Sequence, residues 1–367
     1  MKRALDAIPT DAGAEERAWA IVREAYAGRE PGVRRRSPVR PAFALAAAAV
    51  VALAAAALSA PGRAVVNAVR KSIGIEGAQP ALFQLPAPGR LLVSGAGGTW
   101  VVAADGSTRR LGAYSQASWS PHALFVVATT GNELATVEPA TGRVHWQLAR
   151  PAIGFPRWGG TRTDTRIAYL TTDRLHVVAG DGTGDRRLRP SARVAPAWRP
   201  GTSRHVLAYV DVRGRLTIMN ADRGVATRLS RPYAEVRDIA WSADGKTIAL
   251  AARNEVVLFE LATGDAHVVH VGGVRALAFA ADGRLALMRG DAVLLVDHGR
   301  VRSLFAGPSR LAGLAWSPNG RWLLSSLPAA DQWVFVQTRG GHRILAVSHI
   351  RRQFGSEPSL DGWAPEA

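Results

Sequence analysis

Nine histidines and 29 acidic residues are available for chemistry in this 367-residue chain, and their spacing withholds most of it. His267-Val268-Val269-His270 brings two imidazoles within three residues, but an odd separation along a strand sends them to opposite faces, where they share no metal ion. No His-Glu-x-x-His zinc motif and no Gly-x-Ser-x-Gly nucleophile turn occurs. The oxygen-rich run Asp181-Gly182-Thr183-Gly184-Asp185 has the look of a calcium loop, yet it lacks the further acidic ligands of an EF-hand. Cysteine is absent, which removes disulfides and thiolate metal sites together. The sequence therefore assigns no catalytic, cofactor-binding or metal-ligating residue and calls for no cofactor.

The formal charge of +17 raises the question of nucleic acid, since a basic face attracts phosphates and releases counterions. Only Lys2, Lys71 and Lys246 are lysines among 46 basic residues, and with abundant alanine and glycine this reads as coding bias in a GC-rich genome. The arginines are scattered instead of clustered, and no recognition helix or aromatic-basic ribonucleoprotein motif appears. Such a charge describes a soluble basic surface, and nucleic acid is not an expected partner.

The elements that would position any site begin with a membrane anchor. No charged residue lies between Arg40 and Arg63, and residues 41–60 are almost wholly apolar, long enough to span a bilayer at about 1.5 Å per residue. Alanine supplies twelve of the twenty positions, so Phe43, Leu45, Val50, Val51, Leu53 and Leu58 provide most of the insertion energy, about 0.3 to 0.6 kcal/mol each. Arg34, Arg35, Arg36 and Arg40 precede the span and by the positive-inside rule hold that side in the cytoplasm. A cleaved signal peptide ending near Ser59-Ala60 is the rival reading, against which stand some forty preceding residues rich in acids. The expectation is a single-pass plasma-membrane protein with residues 1–40 inside and the remainder outside.

Within 1–40, one short amphipathic helix is predicted over residues 11–28. Asp11 caps it, Glu15 and Glu16 complement its dipole, and Gly28 ends it. Ala18, Trp19, Val22, Ala25 and Tyr26 form one apolar stripe, which suits the inner leaflet or a cytoplasmic protein partner. Beyond the span, 62–71 reads as a second short helix. Pro80, Pro86 and Pro88 then disfavour regular structure, so 61–88 is taken as a linker or docking collar.

Residues 89–367 are built by repetition. Aromatic-plus-turn marks recur at Trp119, Trp158, Trp198, Trp241, Phe279 and Trp316, spaced 37 to 43 residues apart. That period, with several short strands per copy, is what a β-propeller blade writes into sequence. A second, out-of-phase signal consists of tight turns at Asp105-Gly106, Thr141-Gly142, Asp181-Gly182, Asp222-Arg223-Gly224, Thr263-Gly264, His298-Gly299 and Gly340-Gly341. The surplus hairpin belongs to three strands in 91–111, which need a fourth. Ser359-Leu360-Asp361-Gly362-Trp363 supplies it from the C-terminus, with the Phe83 segment as competitor; either gives seven blades, counts of six or eight being the alternatives. Ring closure removes the strand edges that invite aggregation.

Trp316-Ser317-Pro318-Asn319-Gly320, Trp241-Ser242-Ala243-Asp244-Gly245 and Trp119-Ser120-Pro121 resemble the bacterial WD-repeat-like propeller motif of the periplasmic Tol-associated propeller proteins, over roughly residues 87–363. The resemblance implies an all-β propeller and says little about activity. Trp158 is followed by Gly159-Gly160-Thr161, and Phe279 replaces a tryptophan; both depart from the pattern. The segment from Leu134 to Trp146 resembles one repeat of quinoprotein propellers, whose tryptophans dock blades, but it occurs once and without cofactor ligands. The motif aromatics are expected to pack between blades at the end of the innermost strand.

These features point to a non-enzymatic, membrane-anchored propeller outside the membrane that binds a protein, a peptide or an envelope polymer and relays that binding to a cytoplasmic regulator. Its layout resembles membrane anti-sigma factors without their zinc motif. The alternative is an envelope hydrolase or lyase whose site is assembled in the propeller channel from residues distant in sequence.

Overall fold

The computed structural model describes residues 75–80 and 84–366, apart from positions 173 and 203. The helix expected at 11–28, the span at 41–60, the helix at 62–71 and Phe83 lie outside the described residues. Among the described residues no helix is long and apolar enough to cross a membrane.

Strands of two to eight residues, separated by turns, assemble into seven sheets whose blade strands are antiparallel and run from an innermost to an outermost strand. The innermost strands are Gln116–Trp119 in blade 1, Ile153–Gly160 in blade 2, the two-residue Ala197–Trp198 in blade 3 and Asp238–Trp241 in blade 4. Val274–Phe279, Ala312–Trp316 and Ser359–Ala364 serve blades 5, 6 and 7. The protein is thus an all-β, seven-bladed propeller. Ser359–Ala364 pairs antiparallel with Arg90–Gly95, so the C-terminal strand completes the blade begun by the first three propeller strands.

Burial follows from this stacking. A strand in the middle of a blade has a neighbouring blade against each face, which is why Val126–Thr129 is buried at every position. The outermost Val225–Pro232 is largely exposed. The apolar core divides into seven clusters, and each joins one pair of adjacent blades, including the closing pairs of blade 7 with blades 6 and 1. No cluster belongs to one blade alone, so a blade has no core until its neighbour arrives.

Two features depart from pure repetition. Within the stretch read as linker or collar, Ile75–Pro80 runs parallel to Ile344–Ser348 as a fifth, outer strand of blade 6. Pro80 ends that strand, a place where the missing N–H costs no ladder bond. The connection from blade 6 to blade 7 occupies residues 349–358 and contains the helix Ile350–Phe354, whereas the other connections between consecutive blades run three to five residues. Phe354 anchors this helix, stacked on Trp333 at 5.0 Å and edge-on to Trp100 at 6.0 Å.

Candidate functional site

The innermost strands ring an axial channel. We call the face where they start the leading face and the face where they end, at the aromatic-plus-turn motifs, the trailing face. Three places on this frame could carry chemistry.

In the channel wall, side chains of one innermost strand accept backbone amides of the next. Gln116 Oε1 takes Phe155 N–H at 2.6 Å, Asp238 Oδ2 takes Leu277 N–H at 2.8 Å, and Asp361 accepts from the Ala117 amide. Burial pushes both the Asp238 and Asp361 carboxyls up to about 6, opposed by these hydrogen bonds and by the Arg157 guanidinium. One arginine on blade 2 therefore lies within electrostatic reach of carboxyls on blades 4 and 7, across the ring. Asp238 spends its oxygens on the Leu277 and Ile239 amides, whereas Asp361 is held by Ser94, Ser359 and the Ala117 amide. Beside them Phe155 is 44% exposed on an innermost strand, at a bulge with φ of +54°. That left-handed conformation is strained for an aromatic residue and turns it toward the channel's solvent. Among the described residues no group of three metal-ligating side chains forms.

On the leading face, a cleft of about 630 Å³ opens between blades 6 and 7. The helix Ile350–Phe354 and the short 3-10 turn Pro328–Ala330 wall it, and the Arg351 amide on Asp331 Oδ1 at 2.8 Å pins the two together. Its floor is apolar, with Leu311, Ile350 and Leu360, and Arg310 stands exposed at the rim. Leu360 precedes Asp361, so the cleft and the channel share a strand. Asp331 and Glu357 line the same cleft with φ of +53° and +51°. Non-glycine residues held there concentrate strain around this opening.

On the trailing face, the tryptophans do what the motif requires. Trp198, Trp241 and Trp316 each donate the indole N–H to the preceding blade's innermost strand, at Arg157 O, Ala197 O and Ala278 O, over 2.8 to 2.9 Å. Phe279 has no such donor, so the hydrogen bond between the innermost strands of blades 4 and 5 is the one from Leu277 N–H to Asp238. The turns are closed locally as well. Ser317 Oγ accepts Trp322 N–H and donates to Asn319 Oδ1, and Ser242 repeats the pattern with Thr247 and Asp244.

The sequence candidates sit elsewhere and are spent on structure. His267 and His270 are both exposed on the outer rim of blade 4, one within the outermost strand and one beyond its end. Asp181 Oδ1 caps its own turn through Thr183 N–H and Oγ1–H, and Asp185 holds Tyr169 Oη and Arg150. Trp146, in the quinoprotein-like segment, docks blade 1 on blade 2 through Gly180 O at 2.9 Å. Sequence reasoning did not single out Asp238 or Asp361. The available signal was an acid two or three residues before a blade aromatic, on a strand otherwise without charge.

A family model described as WD domain, G-beta repeat matches residues 299–338. That stretch holds the outermost strand of blade 5 and three strands of blade 6, an offset that interlocks successive blades. No curated protein matches the sequence. Among solved structures, the chain is similar to the Cps50 (Swd1) β-propeller domain of Myceliophteria thermophila at 12% identity, covering 66% of this chain and 92% of that one with a TM-score of 0.52. A chain of the Mitotic Checkpoint Complex aligns at 17% identity over 62% of this chain and 77% of its own, with a TM-score of 0.53. Kuenenia stuttgartiensis Hydrazine Synthase aligns at 15% identity over 60% and 76%, with a TM-score of 0.50. At these identities the likeness extends to the fold, which is a WD-repeat-like β-propeller.

Proposed function

We propose that this protein is a membrane-anchored, non-enzymatic binding module whose leading face takes up a protein, a peptide or an envelope polymer. The observation that carries the reading is the cleft of about 630 Å³ between blades 6 and 7, built by the one long connection in an otherwise regular ring. Function on repeat folds sits where a loop departs from the repeat. An apolar floor with one free arginine and strained turns at its edge suits a chain segment carrying an aliphatic side chain and an acid.

The anchor at 41–60 places the propeller outside the membrane in this reading, of the Tol-associated type, and the helix at 11–28 passes the bound state to a cytoplasmic protein. Supporting this arrangement are the uncharged stretch, the arginines before it and the strand Ile75–Pro80, which ties the chain beyond the span directly to blade 6. Capture from solubilised membranes with the full chain should recover one binder consistently, and Leu360→Arg should lose it while the thermal midpoint holds. Recovery of the same binder by Leu360→Arg would remove the cleft from the proposal.

A second reading, a hydrolase or lyase in the channel, is favoured by one observation: Asp361, a channel-wall carboxyl whose pKa burial raises to about 6. Such a group is tuned for general acid work near neutral pH. Envelope glycans or peptides incubated with wild type and Asp361→Asn decide it, since turnover lost in the variant alone is required.

A further inference from the structure

In three consecutive blades, 1, 2 and 3, the trailing-face turns depart from the serine-and-Asp/Asn pattern and bring in basic side chains. In blades 4 and 6 the turn residue after the tryptophan is a serine and the next polar position is Asp244 or Asn319, acceptors that close the turn. Blade 1 keeps Ser120 but has His122 at the Asp/Asn position, whose Nδ1 finds no partner, and Ala123 is forced to φ of +59° where the pattern has glycine. Blade 2 runs Gly159-Gly160-Thr161-Arg162, and blade 3 has Arg199 in the serine position. The changes remove turn-closing acceptors and bring in His122, Arg162 and Arg199.

The three altered turns enclose one cleft of about 400 Å³, walled by the Trp158 and Trp198 rings and lined by His122, Arg162 and Arg199, with no acidic residue among the lining side chains. Gly159 permits the close wall: a Cβ there would lie 2.1 Å from the Trp198 ring. Arg199 stacks over the Trp241 ring at 5.7 Å, but its guanidinium N–H groups meet no protein acceptor among the described residues. Arg284, by contrast, pairs with Asp282 and stacks over Trp316 at 5.1 Å, and Arg90 donates to Ala123 O at 2.6 Å and stacks over Trp119. Arg162 is exposed with no hydrogen bond or ion pair, and the buried Trp158 Nε1–H has no acceptor. Asp164, the nearest acid in sequence, is already engaged by Arg166 and His205. Burial, aided by the Arg162 charge, lowers the His122 pKa.

We propose that this trailing-face cleft binds a small oxyanion carried on a planar apolar body, with Arg162, Arg199 and His122 taking the anion and the two indole rings taking the body. The size is that of a small-molecule site. Arginine and histidine are the side chains that hold oxyanions at short range, and tryptophan faces accept flat rings. The site lies on the opposite face from the proposed cleft for a protein or peptide and does not depend on it.

Titration of the full chain with phenyl phosphate, followed by tryptophan fluorescence and by the His122 ring resonances, tests the proposal. Saturable binding is expected, at least tenfold tighter than phenol, with the His122 pKa rising as the anion compensates Arg162. Arg162→Ala should weaken binding tenfold or more with an unchanged thermal midpoint. His122→Asn, which restores the turn-closing residue of blade 6, should raise the midpoint and weaken binding. Arg109→Ala, an exposed arginine on blade 7, should leave affinity within twofold. Absence of saturation, phenol binding as tightly as phenyl phosphate, or equal losses in Arg162→Ala and Arg109→Ala would each overturn the site.

Discussion

Asp238 and Asp361 set the pH response at the scale of single residues. Each ionises near 3.8 in the unfolded chain and at about 6 in the folded one, because the channel wall desolvates the charge more than Arg157 and the amides restore it. The folded state therefore holds the extra protons between those values. Stability from these two groups is greatest below about pH 4, falls as pH rises to about 6, and levels off above. Denaturant unfolding of wild type against Asp361→Asn across pH 4 to 7 should show the variant's decline shallower by up to about 1.4 kcal/mol per pH unit. Parallel curves would show that Asp361 does not carry a raised pKa. Carboxyls on the trailing face behave oppositely. At Asp222, burial pulls upward, but the His205 hydrogen bond and charge and Arg166 outweigh it and hold the group below its ordinary value.

At the scale of elements, the strand Ser359–Ala364 does more than fill a sheet. It covers the open edge of Arg90–Gly95, and its Trp363 packs into the cluster joining blades 6 and 7. Its Asp361 reaches the Ala117 amide of blade 1, so one element fastens both closing seams. Truncation after residue 355 should expose that edge and produce soluble aggregates by size exclusion, with loss of a cooperative thermal transition. Removal of residues beyond 364 should leave the transition in place. A monomeric, cooperatively melting chain truncated after 355 would show that closure is not what stabilises the ring.

For the whole molecule, the proposed topology has a direct readout, since a chain without cysteine accepts one reporter thiol at a time. Ala140→Cys sits on an exposed outer hairpin of blade 1, and a membrane-impermeant maleimide applied to intact cells should label it and leave Thr10→Cys unlabelled until lysis. Labelling of Thr10→Cys alone would invert the orientation. Seven seams, each with its own apolar cluster and several with an indole bond, make the ring a rigid frame on which the two clefts and the channel occupy separate places.

The sequence alone determined the repeat, the seven-blade count and the docking role of the motif tryptophans. These depend on short-range patterning: an aromatic, a turn and an apolar run recur whatever the neighbours are. It also exposed the departures at Gly159 and Phe279, though not their meaning. Which strand closed the ring was decided by tertiary structure, because Ser359–Ala364 and Arg90–Gly95 lie at opposite ends of the chain and only pairing shows their register. The channel carboxyls belong to the same class. Asp238 and Asp361 carry ordinary acidic letters, and their raised pKa values come from desolvation by strands far away in sequence. The clefts likewise arise from side chains on separate blades that meet only once the ring has formed.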